Sequence, residues 1–180
     1  ETTGPEKTLY LTLDYDASNT VIDFWGTDGM SSTTIGLTTD QACYPSEEHI
    51  AYAWHSVDGF SKIGSYTGNG SSDGPFIYTG FKPAFLLTKR TDVTGYNWYM
   101  WDNARDNKNP LEKAIYVDSS QTESDFSAYP HQFLSNGIKI DTNNAAFNAN
   151  GSTYIYMAFA ENPFKNSLAR ASSSSLTRRE

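Results

Sequence analysis

Residues 66–90 read YTGNGSSDGPFIYTGFKPAFLLTKR, and this stretch decides the fold. A loop of Gly68, Asn69, Gly70, Ser71, Ser72, Asp73 and Gly74 runs into two short apolar segments, 75–78 and 84–88. Glycine supplies positive φ, and Asn and Asp side chains bond their own backbone. Aromatic residues suit a pleated, half-buried surface. The passage predicts loop, strand, turn, strand.

The same pattern extends along the chain. Leu9, Leu11, Leu13 and Tyr15 alternate with Tyr10, Thr12 and Asp14. Ile50, Tyr52 and Trp54 alternate with Ala51 and Ala53, and Ile155, Met157 and Phe159 with Tyr156 and Ala158. Period-two alternation predicts strands rather than helices. Further strands are predicted at 21–24, 85–88, 96–101, 114–117, 133–134 and 137–140. One helical turn is predicted at Asn109–Lys113, with Pro110 at its first position. The fold class predicted is all-β, an antiparallel β-sandwich.

The 180 residues suit one domain, spanning 1–170, with a Ser-rich extension at 171–180. A weak internal echo relates IDFWGTDG (22–29) to HQFLSNG (131–137), and HIAYAWHSVDGFSK (49–62) to YIYMAFAENPFK (154–165). Two explanations fit: similar central strands of one sandwich, or residues 1–60 as the end of a preceding repeat.

The net charge of -8 disfavours nucleic acid and anionic membrane as partners, since both demand clustered Lys and Arg. No apolar run approaches the roughly 20 residues of a membrane-spanning helix. The opening ETTGPEKT lacks the basic start and apolar middle of a secretion signal. The single cysteine, Cys43, excludes an intrachain disulfide and reads as a small buried hydrophobe.

Catalytic and metal signatures are thin. His49, His55 and His131 lack metal-ligand spacing, so no metal and no cofactor is expected. His55 reads as hydrogen-bonded or exposed. The loop at 68–74 lacks the Lys-Ser/Thr of a phosphate cradle. Glycoside hydrolysis needs two carboxylates across a bond. The candidates Asp14/Asp16, Glu47/Glu48 and Asp102/Asp106 form no such strand pattern. Asp102–Asp106 instead predicts a turn with an Arg105–carboxylate pair. Oxygen-rich groups at Asp14/Asp16/Asn19 and Asp102/Asn103/Asp106 read as solvated turns rather than calcium sites. The sequons at Asn69 and Asn150 read as turns.

The aromatic strand Asn97-Trp98-Tyr99-Met100-Trp101-Asp102 carries the candidate ligand site. Alternation separates Trp98 and Met100 from Tyr99 and Trp101. The expectation is that Trp98 and Met100 enter the core, with Met filling gaps beside an indole. Tyr99 and Trp101 then face outward beside Asp102, Asn103 and Arg105. Together these five residues form the predicted ligand-binding set, with rings that stack on a sugar and polar groups that fix its hydroxyls.

The segments YTGNGSSDGPFIYTGFKPAFLLTKRTD, NWYMWDNARD, HQFLSNGIKI and GSTYIYMAFAENPFK resemble a domain of bacteriophage structural proteins. These are tail and fibre proteins above all, especially of marine and cyanobacterial phages. The resemblance covers residues 49–170 well and the first 45 loosely. It implies a concanavalin A-like or jelly-roll sandwich and a place on the exterior of a virion, in a tail appendage or on the capsid. It carries over no catalytic residues. The expected function is a noncatalytic tail-appendage module contacting host-surface glycans. The alternatives are a purely structural or capsid-decorating virion protein, and a carbohydrate-active hydrolase. The expected partners are other virion proteins, host carbohydrate and further copies of the chain in a trimer, since tail appendages tend to be three-fold and neighbouring subunits cover strand edges.

Overall fold

Alternation becomes sheet in several of the segments that show it. The computed structural model describes residues 50–163 continuously, with Leu9, Leu11, Thr33, Gly36 and Glu48 as isolated positions before them. The strands are β1 (Ser61–Thr67), β2 (Phe76–Tyr78), β3 (Pro83–Arg90), β4 (Tyr99–Asp102), β5 (Lys113–Tyr116), β6 (Ser124–Asp125), β7 (His131–Leu134), β8 (Gly137–Ile140) and β9 (Thr153–Ala160). A single helical turn, α1 (Ala145–Asn148), precedes β9. One sheet has the order β1-β9-β3-β4-β5-β6 and the other β2-β8-β7. Among the described residues every strand pair is antiparallel.

The two sheets pack face to face as an antiparallel β-sandwich. Leu86, Tyr99, Trp101, Ala114, Tyr156 and Ala158 enter the core from the larger sheet. Ile77, Phe133, Ile138 and Ile140 enter from the smaller one, and Phe147 from α1. Each fully buried aliphatic or Phe side chain contributes about 1.5–3 kcal/mol relative to exposure. In β9, Tyr154, Tyr156 and Ala158 are buried while Ile155, Met157 and Phe159 are half-buried on the opposite face, as the period of two requires.

The glycine-rich loop is tied to the end of the sandwich by one buried side chain. Asn148 donates its amide to Asn69 Oδ1 (2.9 Å), Ser71 O (2.8 Å) and Thr142 O (2.8 Å). Its Oδ1 accepts from the Asn69 backbone N–H at 2.7 Å. A Cβ on Gly68 would lie 2.2 Å from the Ala149 carbonyl oxygen, so only glycine lets the two backbones approach. Ser71 N–H donates to Asn69 Oδ1, making the expected Asn turn.

Three local expectations fail. Ile50–Trp54 is not a strand: residues 50–56 are irregular and exposed, with Tyr52 and Trp54 stacked on one another. Among the described residues no strand accepts their ladder: β1 fills the edge beside β9, and the preceding turn folds back on it through Ser56 Oγ and Ile63 N–H (3.0 Å). Asn109–Lys113 forms no helical turn. Its backbone is drawn into edge pairing, with Leu111 N–H donating to His131 O at 2.8 Å. Leu11 lies in a turn and is exposed, and Leu9 is half-buried outside any strand; residues 10 and 12–15, the 21–24 expectation, Cys43, Glu47, His49 and the tail at 171–180 lie outside the described residues. Strand β1 was not foreseen, because SKIGSYT lacks a clean apolar alternation.

Candidate functional site

Strand β4 alternates as expected, but its faces are the reverse of the prediction. Tyr99 is 6% exposed and Trp101 0%, whereas Trp98 and Met100 are half-buried on the other face. Trp101 sits opposite Leu86 in β3. Its indole stacks on His131 at 4.3 Å and meets the edges of Phe147 (5.2 Å) and Phe126 (6.0 Å). Tyr99 meets Phe147 edge-on at 4.7 Å. The smaller sheet and α1 lie on that side, so the flat rings fill the gap between layers. Met100 faces the other way, in a cross-strand row with Ile63, Met157, Leu87 and Ile115. The rings of Tyr99 and Trp101 are therefore core, and no sugar can stack on them.

The polar members of the predicted set stay at the surface. Arg105 N–H donates to Asp102 Oδ1 at 2.7 Å, and Arg105 Nε to Asp102 Oδ2 at 3.1 Å, closing the expected turn. Arg105 also reaches Glu123 at 3.2 Å. Asn103 points away from this pair and donates to Glu161 Oε1 at 2.9 Å. Lys82 Nζ bonds the same carboxylate, 3.0 Å from Oε2. Asp102 and Arg105 thus belong to one cluster, and Asn103 to another.

The second cluster borders a small cleft of about 170 Å³ lined by Lys82, Asn103, Asn107, Lys108, Asn109, Leu111, Phe133 and Glu161. Asn109 is clamped to β7: its amide donates to Phe133 O (3.2 Å) and its Oδ1 accepts from Phe133 N–H (2.9 Å). Glu161 is engaged by both Lys82 and Asn103. In the cleft Lys82, Asn103 and Glu161 are paired with one another, beside the apolar Leu111 and Phe133.

Asp106 is not solvated, as expected of a loop carboxylate, but buried at 5% exposure. Its oxygens accept from the backbone N–H groups of Lys108 (3.1 Å), Glu112 and Lys113 (3.0 Å). Burial alone would raise its pKa, but the three donors outweigh it and hold the carboxyl below its ordinary range. Its contribution is therefore present above the unfolded pKa and disappears as pH falls through the folded one. Asp106→Ala, which strands these donors, is expected to cost about 2 kcal/mol, or roughly 6 °C of melting temperature. Thermal unfolding followed by circular dichroism checks this; an unchanged midpoint would show that water replaces the carboxylate at no cost.

Residues 2–163 match a domain family described as a domain of unknown function, DUF7483. The chain belongs to this family. No curated protein and no solved structure shows significant similarity to it. Among the described residues of this DUF7483 domain, no three His, Cys, Asp or Glu side chains cluster as a metal site would. Sequence reasoning missed Lys82, Glu123 and Glu161. Glu161 lies 58 residues from Asn103 and 79 from Lys82, and only the β3–β9 register brings Lys82 and Glu161 together. No local signal carries such a pairing.

Proposed function

We propose that this domain is a noncatalytic module of a bacteriophage particle, part of a tail appendage that contacts host-surface glycans. The observation that carries the noncatalytic part is the use made of the two carboxylates nearest the candidate site. Asp102 is held by Arg105, and Asp106 by three backbone N–H groups. A glycosidase needs a carboxyl pair facing across an open cleft, and these two are spent on turns. The virion assignment rests on the resemblance of the loop-strand segments at 66–92 and 97–106 to phage tail and fibre proteins. In that setting the chain would assemble as a trimer with other virion proteins, its strand edges covered by neighbours.

Two measurements test this. Gold-labelled antibody raised against the purified chain should mark the exterior of the phage particle, at the tail or its fibres. The purified chain should also reduce adsorption of that phage to its host without releasing reducing sugar from host polysaccharide. Labelling of no particle component, or sustained sugar release abolished by Asp102→Asn, would refute the proposal.

A further inference from the structure

The smaller sheet turns a mixed aromatic and polar face to solvent. In β2, Ile77 is buried at 5%, while Phe76 and Tyr78 on either side are 45% and 64% exposed. Both rings therefore stand on the outer face, about 6.8 Å apart along the strand. Register extends this face across β8 and β7. Phe76 pairs with Lys139 and Lys139 with Gln132; Tyr78 pairs with Gly137 and Gly137 with Leu134.

Gly137 shapes the surface. A Cβ there would lie 2.5 Å from Phe76 Cζ and 2.3 Å from Ile77 O. The Phe76 ring therefore lies directly over Gly137, where any side chain would clash with it, and Tyr78 and Leu134 flank that position. The border is polar. Lys139 bonds Asp73 and the Gly74 carbonyl, and Gln132 donates to Asp141. Asp73 is 88% exposed at its side chain, so its remaining lone pairs face solvent.

The geometry points to a site for a neutral pyranose oligosaccharide on this face, with Phe76 and Tyr78 as the stacking surface and Gln132, Lys139 and Asp73 as its hydroxyl partners. This deepens the glycan-contact reading above, on which it rests. An aromatic body beside fixed donors and acceptors matches a sugar ring, which has apolar C–H faces and an equatorial rim of hydroxyls. Charge selects among sugars. The ammonium of Lys139 is already matched by Asp73, Asp141 adds a further negative charge, and the chain carries a net charge of -8. An anionic polysaccharide would be repelled; a neutral one is not. Lys139 stands on β8, the middle strand of this face, whereas a subunit contact is depleted of charge at its centre.

The test uses the full chain on a printed array of neutral hexose and N-acetylhexosamine oligosaccharides, with sialylated and sulfated sugars included. The expected result is binding to a neutral member. Tyr78→Ala should weaken that binding about tenfold or more with an unchanged melting temperature, and Tyr78→Trp should retain it. Binding that survives both Tyr78→Ala and Phe76→Ala overturns this site and leaves the glycan-contact reading standing. Binding restricted to sulfated or sialylated sugars overturns the charge argument and the site with it. No binding to any member overturns both site and reading. Sedimentation completes the set: an oligomer lost in Tyr78→Ala, with no sugar bound by the wild-type chain, would assign the face to a second copy and refute the proposal.

Discussion

Trp101→Ala is expected to cost about 3–5 kcal/mol of folding stability, the range for large aromatic truncations in cores. That is a large share of the roughly 5–15 kcal/mol by which domains are stable. The indole is fully buried, stacked on His131 at 4.3 Å, and walled by Phe147, Phe126 and Tyr99. Removing it opens a void between the two sheets. The indole Nε1 bonds to no acceptor among the described residues. Trp101→Phe therefore breaks no hydrogen bond among them, and should cost well under half as much as Trp101→Ala. Urea unfolding followed by circular dichroism measures both. A loss below about 1 kcal/mol for Trp101→Ala would place the ring outside the core and restore it as a surface for ligand. Met100→Ala, on the half-buried opposite face, should fall between the wild type and Trp101→Ala.

The reversed β4 shows where sequence reading stops. Alternation tells that Tyr99 and Trp101 share a face; it does not tell which face meets the other sheet. Both faces of β4 are apolar, so the usual polar marker of the solvent side is missing. The deciding facts are long-range: Leu86 opposite Trp101, and His131 and Phe147 across the sandwich. The loop at 68–74 and strands β2, β3, β8 and β9 were legible because glycine, alternation and turn residues act locally. β1 was hidden because its sequence is polar, and its place at the sheet edge comes from Tyr154–Phe159 in β9. Ile50–Trp54 misled for the converse reason: it alternates well but has no partner strand among the described residues. At the candidate site, the Asp102–Arg105 turn was legible at a spacing of three. The Asn103–Glu161–Lys82 cluster was not, since its members meet only after β3 and β9 pair. The outward alternation of Phe76 and Tyr78 was available in FIY, but not the bare Gly137 position that the Phe76 ring covers.

The second large effect is a loss of stability between neutral and mildly acidic pH, carried by His131. This imidazole is fully buried between Trp101 and Phe147, with Nδ1 2.8 Å from the Tyr129 carbonyl. Nε2 has no hydrogen-bond partner among the described residues. Nδ1 therefore carries the proton and donates to Tyr129 O, while Nε2 stays bare among aromatic rings. Burial penalises the cation more than the Tyr129 carbonyl and the charge of Asp141 favour it, and the pKa falls from 6.5 to about 4. The unfolded chain takes up a proton near pH 6.5; the folded chain does not until about pH 4. Between these values the unfolded state binds more protons, so stability drops as pH falls. At about 1.4 kcal/mol per pH unit, the loss reaches about 3 kcal/mol by pH 4. Asp106 acts in the same direction but only below its unfolded value near 3.8, so the two contributions separate along the pH axis. His131→Phe, which keeps a ring against Trp101, should flatten the slope of unfolding free energy between pH 6.5 and 4.5. Its stability at pH 7 should fall through the stranded Tyr129 carbonyl. Proton NMR gives the direct reading: the His131 ring should remain neutral at pH 5, where an ordinary histidine is almost wholly charged. A His131 titration midpoint near 6.5 in the folded protein would contradict both the burial and the acid sensitivity derived from it.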